Sequence, residues 1–217
     1  MFAWSIERNR MKYFCLVLVI GAVHAQNREI GVLGGGAFLP GVPLQGAAAS
    51  VSAGLQPGPA AGAFFGQDLY SRVSGEIRYL FELRNLRLTS GGASASFSGR
   101  AHVLQYELQY HLRPRSERVR PFLAVGGGMK LFQGTGEENA YQPLMQYAYL
   151  THTQELKPLL TVGAGFKIYL AHRMILHVDL RDQITGFPAK TITPAPGMAI
   201  KGWLHDFAPT VGLSWAL

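Results

Sequence analysis

The sequence predicts an all-β protein, an eight-stranded antiparallel up-and-down barrel that crosses a membrane. Eight stretches alternate apolar and polar residues with a period of two, and the connections between them run long, short, long, short. In the clearest stretch, residues 176–181 (LHVDLR), the apolar residues share one face while His177, Asp179 and Arg181 share the other. A strand of a soluble sandwich can alternate in the same way. The order of the connections favours the membrane, because a transmembrane barrel has short turns at one end and longer loops at the other.

The eight strands fall along the whole chain after its first segment. They are predicted at residues 29–38, 59–67, 72–81, 100–112, 120–132, 159–170, 173–185 and 206–217. They contain 9 to 13 residues, and each is therefore long enough for a tilted membrane-spanning strand, which needs about 9–11 residues. In the third strand Glu76 and Arg78 point inward, and in the fourth Leu104, Leu108 and Tyr110 point outward. Outward aromatic residues fit the girdles that lie at the two membrane surfaces.

The connections between these strands are of two kinds. Short ones are predicted at residues 68–71, 113–119 and 171–172, and long ones at residues 39–58, 82–99, 133–158 and 186–205. In a barrel with both chain ends in the periplasm, the short connections are periplasmic turns and the long ones are external loops. A soluble barrel has no reason to keep this alternation, so we expect the four long connections to lie on the outer side of the membrane.

Residues 1–25 have the composition of a secretory signal peptide. Basic residues open the segment, and a short apolar run follows and ends in a small residue at Ala25. This arrangement predicts cleavage after Ala25, which leaves residues 26–217 as one barrel domain that begins at Gln26. Met11 is a second candidate for the true start of the chain. A membrane anchor is the alternative, but a spanning helix needs about 20 apolar residues and this run is shorter.

The composition fits an exported protein without a cofactor. The single cysteine, Cys15, lies in the leader, so the mature chain forms no disulfide. Loss of the leader removes three basic residues and one acidic residue, which lowers the formal net charge from +7 to +5. No basic cluster, aromatic platform or helix-turn-helix pattern accompanies this charge, so we expect no nucleic acid partner. Metal-ligand spacings and phosphate-binding glycine motifs do not occur either, and we expect no metal and no cofactor.

Charged residues recur on the inward face of the predicted strands. The inward set contains three acidic and three basic residues: Glu76, Arg78, Glu107, Lys167, Asp179 and Arg181. Eight strands leave room inside for side chains but hardly for a pore. Charges removed from water have to be paired, since each unpaired one costs several kcal/mol. The pattern therefore predicts a salt-bridged charge network that plugs the lumen, with the inward glycines Gly163, Gly165 and Gly212 relieving crowding beside it.

The leader, the strand pattern, the loop order and the terminal strand VGLSWAL together resemble the small eight-stranded outer-membrane β-barrel proteins of Gram-negative bacteria. The resemblance covers the whole mature chain. It implies an outer-membrane location reached through the periplasm, a monomeric barrel, and outer-membrane lipids and lipopolysaccharide as partners. The barrel assembly machinery of this family reads a terminal strand that usually ends on an aromatic residue. Here the corresponding assembly signal ends on a leucine and is imperfect: Val211, Leu213, Trp215 and Leu217.

The resemblance leaves the function open, because structural anchors, adhesion and defence proteins, narrow channels and a few hydrolases share this porin-like architecture of the cell envelope. A fold does not by itself give a function. We expect a structural or surface-interaction role through the external loops, without catalysis. The first alternative is a narrow channel for small solutes, and the second is a lipid-modifying outer-membrane enzyme.

The histidines offer little support for an enzyme. The resemblance implies that barrel hydrolases pair His with Ser or Asp near the external rim, yet no His-x-Ser occurs in the chain. His177 and Asp179 both face the predicted lumen, where a place in the charge network is the simpler explanation. His205 and Asp206 are adjacent, so they point to opposite faces of a strand. His152 lies in a polar loop without an identifiable partner.

The long loops are the expected functional surface. The longest connection contains the polar segment 133–141 and the aromatic residues Tyr147 and Tyr149, and the last one contains several prolines and Trp203. Loops held on a rigid barrel are natural binding platforms. The alternative is that they only cap the barrel, and the composition does not separate binding from capping.

Overall fold

The computed structural model describes residues 27–46, 50–200 and 202–217. The predicted signal peptide, residues 1–25, lies outside the described residues. In chain order the strands are β1 (Arg28–Ala37), β2 (Val42–Gln45), β3 (Val51–Leu55), β4 (Gly58–Asp68), β5 (Val73–Leu83), β6 (Leu86–Ser90), β7 (Ala93–Phe97), β8 (Gly99–His111), β9 (Val119–Gly134), β10 (Ala148–Leu150), β11 (Gln154–Tyr169), β12 (Met174–Gly186), β13 (Ile192–Pro194), β14 (Ala199–Ile200) and β15 (Trp203–Ala216). Within these ranges no helix is long and apolar enough to cross a membrane.

Eight of these strands close into one antiparallel barrel. Their order around it is β1-β15-β12-β11-β9-β8-β5-β4, and β4 returns to pair with β1. The pairing of β1 with β15, in which Val32 lies opposite Leu213, joins the first strand to the last. The predicted fold class, an eight-stranded antiparallel up-and-down barrel, is confirmed.

The wall of the barrel is apolar outside and polar inside. In β8 the side chains of Leu104 and Leu108 are 57% and 45% exposed, whereas Gln105 and Glu107 on the opposite face are buried. This distribution reverses that of a soluble protein, where burial removes apolar groups from water. It follows directly from the period-two alternation, because successive side chains of a strand point to opposite faces. An exposed band of apolar side chains around a closed sheet is the surface that a transmembrane barrel presents to lipid.

The strands on the long-connection side extend further than the sequence pattern predicts. The sixth predicted strand, 159–170, begins at Gln154 in the structure, and β9 and β15 are extended in the same direction. This extension contains Pro158, although proline lacks an N–H for a central strand. The structure tolerates this proline since β11 pairs with β9 from Gln154 onward but with β12 only from Leu159. Pro158 therefore lies where β11 has a neighbour on one side alone.

The four long connections are folded, which corrects their prediction as loops. Five of their short strands form a sheet in the order β14-β2-β3-β6-β7, and β10 pairs with β13. One hairpin was readable from the sequence: Gly91 and Gly92 separate two alternating stretches and both have positive φ, +53° and +88°. A two-residue turn of this kind favours glycine at both positions because other residues rarely adopt positive φ.

A hydrophobic core lies between these folded connections and the mouth of the barrel. All four long connections contribute buried apolar side chains to it, among them Val51, Leu88 and Ile192. Phe132 and Leu204, which point inward from the ends of β9 and β15, belong to the same core. We call this folded unit, formed by the described residues of 38–57, 84–98, 135–153 and 187–202, the external cap. The shared core packs the cap onto the barrel mouth.

The outward face of β8 is expected to be destabilised by a charge, whereas an exposed turn is not. Leu108 lies in the middle of the outward apolar stretch from Leu104 to Leu112, so Leu108→Arg places a guanidinium in hydrocarbon. We expect it to lower the free energy of unfolding in lipid vesicles by about 2–4 kcal/mol. Ser116→Arg, in an exposed turn, is the matched control and should change stability by less than about 0.5 kcal/mol. Equal losses for the two variants in denaturant titrations would contradict the face assignment.

Candidate functional site in the lumen and the external cap

A chain of five charged side chains crosses the middle of the lumen. Arg78 donates two parallel hydrogen bonds to the carboxylate of Asp179, at 3.0 and 3.1 Å, and its Nε donates to Glu76 at 2.9 Å. Arg181 binds Glu107 with an N–O distance of 2.9 Å and lies 3.4 Å from Asp179. All five side chains are buried. We call Glu76, Arg78, Asp179, Arg181 and Glu107 the middle network.

Neutral side chains complete this network. Gln109 donates to Glu76 at 2.9 Å, Gln105 donates to Glu107 at 2.6 Å, and Thr210 donates to Asp179 at 2.6 Å. Glu76 and Glu107 lie directly opposite each other on the paired strands β5 and β8. Like charges in such a pair repel. Each therefore depends on its arginine and its glutamine for stabilisation.

Lys167, the sixth charge expected in the network, lies in a separate cluster. Its Nζ donates to Glu29 at 2.6 Å, and Glu29 also accepts from Ser214 at 2.9 Å. His177 contacts the same serine and carboxylate. We call Glu29, Lys167, His177 and Ser214 the lower cluster. Glu29 was not among the predicted inward charges, although the alternation of its strand with outward Ile30 places it there.

A third cluster near the external mouth was missed from the sequence. Lys130 donates to Glu82 at 3.0 Å, to Asp206 at 2.6 Å and to Gln183 at 2.8 Å. Arg84 forms ion pairs with Asp206 and Glu82. We call these five residues the upper cluster. The alternation of β9 places Lys130 on the inward face, but the partners of Lys130 lie at the ends of other strands.

The three groups fill the lumen from one end to the other. Their charged side chains are almost completely buried; Arg84, Arg181 and Lys130 are each at most 1% exposed. Near the short-turn end, a cavity of about 30 Å³ beside Asp68 and Arg120 has room for about one or two water molecules. At the other end the external cap covers the mouth. The arrangement is a packed interior held by ion pairs.

His177 does not pair with Asp179 but takes a place among the lumen charges, in the lower cluster. His177 Nε2 shares a hydrogen bond with Ser214 Oγ at 2.8 Å and lies 3.3 Å from Glu29. A serine hydrolase triad needs the carboxylate on the other ring nitrogen, Nδ1, to orient the imidazole. Here both partners lie at Nε2, and the ring packs against Phe64 with centroids 4.6 Å apart. The group is buried and has no geometry for nucleophile activation.

Two further histidines, His111 and His205, have a serine or an aspartate as a hydrogen-bond partner, but neither pair forms an accessible catalytic site. His111 and Ser74 share a hydrogen bond of 2.8 Å, and both are buried. His205 and Asp206 point to opposite faces: His205 bonds Asp182 at 2.8 Å on the outer wall, while Asp206 belongs to the upper cluster. In residues 27–46, 50–200 and 202–217, no group of three or more His, Cys, Asp or Glu side chains is arranged to hold a metal ion.

The surface of the external cap contains a groove of about 380 Å³. It runs between β7 and residues 136–143, and Tyr141 beside it is 78% exposed. His152, for which the sequence pattern indicated no partner, donates its Nδ1–H to the carbonyl oxygen of Gly136 at 2.9 Å, and its backbone N–H donates to Glu138. These contacts tie β10 and its neighbours to the loop that forms the groove.

The four residues of the expected assembly signal share the outward face of the barrel. They lie along β15 and just after it, and all are exposed: Val211, Leu213, Trp215 and Leu217. Because β15 pairs with both β12 and β1, these side chains are displayed on the seam that closes the sheet.

Comparison with known proteins gives matches of structure alone. No protein-family model and no curated protein matches the chain. The outer membrane protein OprG of Pseudomonas aeruginosa is similar with a TM-score of 0.55 and 13% identity, over 87% of this chain and 95% of that one. Neisserial surface protein A (NspA) has a TM-score of 0.54 and 9% identity, over 88% and 99% of the two chains.

A third structure, a major outer membrane protein of Thermus thermophilus, has a TM-score of 0.50 and 14% identity, over 89% of this chain and all of that one. At such low identity the likeness concerns the fold. The closed eight-stranded sheet, its apolar outer face and these matches show that this chain has the fold of the small eight-stranded outer-membrane β-barrels.

Proposed function

We propose that the protein is an integral outer-membrane barrel of a Gram-negative bacterium, with a closed lumen and a structural or surface-interaction role through its external cap. The observation that carries this proposal is the lumen itself, which three groups of paired charges fill from end to end. The leader 1–25 would direct the chain through the periplasm, where the barrel assembly machinery would read the outward residues of β15. Outer-membrane lipids and lipopolysaccharide would surround the monomeric barrel.

The energetics of the lumen support a closed barrel over a narrow channel. Removing one partner of a buried ion pair leaves the other charge without compensation, at a cost of about 3–5 kcal/mol. A continuous water path would have to separate Arg78 from Asp179 or Arg181 from Glu107. Eight-stranded barrels are just wide enough for their side chains. The pairs would therefore have to break before solutes could pass.

The arrangement of the histidines supports a non-enzymatic role. Two Ser–His pairs are buried inside the barrel, where a substrate from either compartment cannot reach them. The pair His205 and Asp182 lies on the outer wall and has no serine or cysteine bonded to it in the described part of the chain. We therefore propose no catalysis.

The external cap supports a surface role because it is a folded unit with its own core. Side chains on such a unit keep fixed positions, as a binding surface requires. The groove beside Tyr141 offers aromatic and amide groups and one carboxylate, Glu137, so its partner would be recognised mainly by shape and hydrogen bonds.

Processing of the leader tests the location. We expect the mature protein to begin at Gln26 and to fractionate with the outer membrane, because a short apolar segment with this flanking sequence is a cleavable signal. Mass analysis of the membrane-embedded protein measures its first residue. Recovery of protein that still contains residues 13–25 would contradict this prediction.

Coupling between lumen charges tests the network. Arg181→Gln or Glu107→Gln should each lower the free energy of unfolding in lipid by about 3–5 kcal/mol. The double variant should lose less than the two single variants added together, because neither charge is left alone. Arg181→Gln combined with Glu82→Gln, from the upper cluster, is the control pair and should be nearly additive. Additivity in both pairs would show that Arg181 and Glu107 are not coupled.

Conductance tests the closed lumen. In planar bilayers the wild-type protein should give no large, stable single-channel steps. Arg78→Ala combined with Arg181→Ala removes both cations of the middle network and should raise the conductance. A matched pair on the outer wall, Leu104→Ala with Leu108→Ala, should leave it unchanged. Large, stable steps from the wild-type protein would favour the narrow channel instead.

A further inference from the structure

The barrel brings five arginines together at its short-turn end. The three short turns, residues 69–72, 112–118 and 170–173, are distant in sequence, but antiparallel closure places them all at this end. They contain one acidic residue, Glu117, and five arginines, which we call the arginine collar: Arg72, Arg113, Arg115, Arg118 and Arg173. The first external connection, residues 38–57, contains no charged residue at all.

Four of the five collar side chains form no ion pair with a carboxylate in the described part of the chain. Arg115 forms an ion pair with Asp68 at the rim of the lumen. For Arg72, Arg113, Arg118 and Arg173, none of the carboxylates that the structure describes lies within ion-pair distance, and all four residues are exposed. The lumen shows the opposite arrangement, with every cation paired. Clustered cations at one surface repel one another unless anions from outside the protein compensate them.

The collar lies at the edge of the apolar band. Leu112 and Leu170, in the same turns, are 51% and 45% exposed, and Tyr70 and Trp215 are exposed beside them. Tyrosine and tryptophan are enriched at membrane–water interfaces. The arginines therefore lie at the depth of the lipid head groups, which favours lipid over a soluble anion.

An apolar groove of about 320 Å³ leads away from the collar along the outer wall. Val32 lies between Ala63 of β4 and Leu213 of β15, and the small side chain of Ala63 leaves space in the wall there. Met174 forms one side of the groove and directly follows Arg173, whose carbonyl accepts a 2.8 Å hydrogen bond from Ala216. Arg173 thus adjoins in the chain a residue that lines the apolar groove, and a phospholipid likewise has its phosphate next to its acyl chains.

We propose that the arginine collar binds the phosphate groups of anionic phospholipids, with an acyl chain in the groove beside Trp215. Arginine suits this ligand because its planar guanidinium donates two parallel hydrogen bonds to phosphate oxygens. The proposed outer-membrane location determines only which leaflet supplies the lipid, the periplasmic one. The binding chemistry itself can be measured in any bilayer.

Tryptophan quenching measures this preference at the site. In a Trp4→Phe, Trp203→Phe background Trp215 is the only tryptophan of the chain. The protein is reconstituted first in phosphatidylcholine mixed with brominated phosphatidylglycerol, and then in the same mixture with the bromine on phosphatidylcholine instead. The quenching in the two mixtures gives the association constant of phosphatidylglycerol relative to phosphatidylcholine next to Trp215. We expect phosphatidylglycerol to be favoured about three- to tenfold, and high salt to reduce this preference.

Matched variants assign the preference to the collar. Replacing the four arginines without an ion pair with glutamine (Arg72, Arg113, Arg118 and Arg173) should reduce the ratio to about one, since these side chains supply the attraction for anionic head groups. Replacing four basic residues at the other end with glutamine (Arg87, Arg100, Lys157 and Lys190) should leave it unchanged. Circular dichroism shows whether each variant has folded as a barrel.

Three outcomes would overturn the proposal. The first is a ratio near one for the folded wild-type protein, and the second is a preference that persists in the collar variant. The third is loss of the preference in inorganic phosphate but not in chloride of the same ionic strength, which would identify free phosphate as the ligand. A conducting barrel or an uncleaved leader would contradict the proposed function while leaving this lipid preference intact, so the two failures are distinguishable.

Discussion

Closure of the sheet between β1 and β15 is the constraint on which the rest of the structure depends. A membrane offers no water to an open sheet edge, so every backbone N–H and C=O has to find its partner in a neighbouring strand. With eight strands, closure leaves an interior just wide enough for side chains. Each strand then gives one face to lipid and one to the lumen, and a charge inside has to be paired there. Arg78 and Arg181 meet this demand by binding carboxylates from three strands, those of Glu76, Glu107 and Asp179.

Period-two alternation is sufficient to predict the barrel strands and the face on which most charges lie, but it does not predict their partners. Those depend on the stagger between strands that are distant in sequence. Arg78 meets Asp179 across 101 residues of chain, and Lys167 meets Glu29 across 138. Lys130 is a different case, because the phase of its own strand places it inside. Only the partners of Lys130 could not be predicted, because they lie near the ends of strands, where the alternation of apolar and polar residues stops.

The two ends of the barrel escape prediction for a related reason. The strands of the external cap have two to five residues, too few for alternation to be distinguished from chance, and their partners lie in other connections. β2, for example, pairs with β14, whose Ala199 lies opposite Gln45. The turn at Gly91 and Gly92 differs from the rest of the cap, because a pair of glycines is a local signal for a hairpin, although the segment was predicted as a loop. The arginine collar likewise exists only after folding, when three separate turns meet at one end.

The distribution of charge along the barrel axis determines where polar ligands can bind. In the lumen the charges already bind each other, so a ligand there would have to replace an ion pair of equal strength. In the groove of the cap, Glu137 is the one charged residue among uncharged groups such as Tyr141 and Asn139, and recognition there depends mainly on shape and hydrogen bonds. At the turns, unpaired arginines attract anions over a distance that salt shortens, to about 8 Å at physiological ionic strength. Binding of an anion at the turn end should therefore weaken with ionic strength, while binding of an uncharged ligand in the groove of the cap should change little. Salt dependence thus distinguishes an anion bound by the arginine collar from an uncharged ligand bound in the groove.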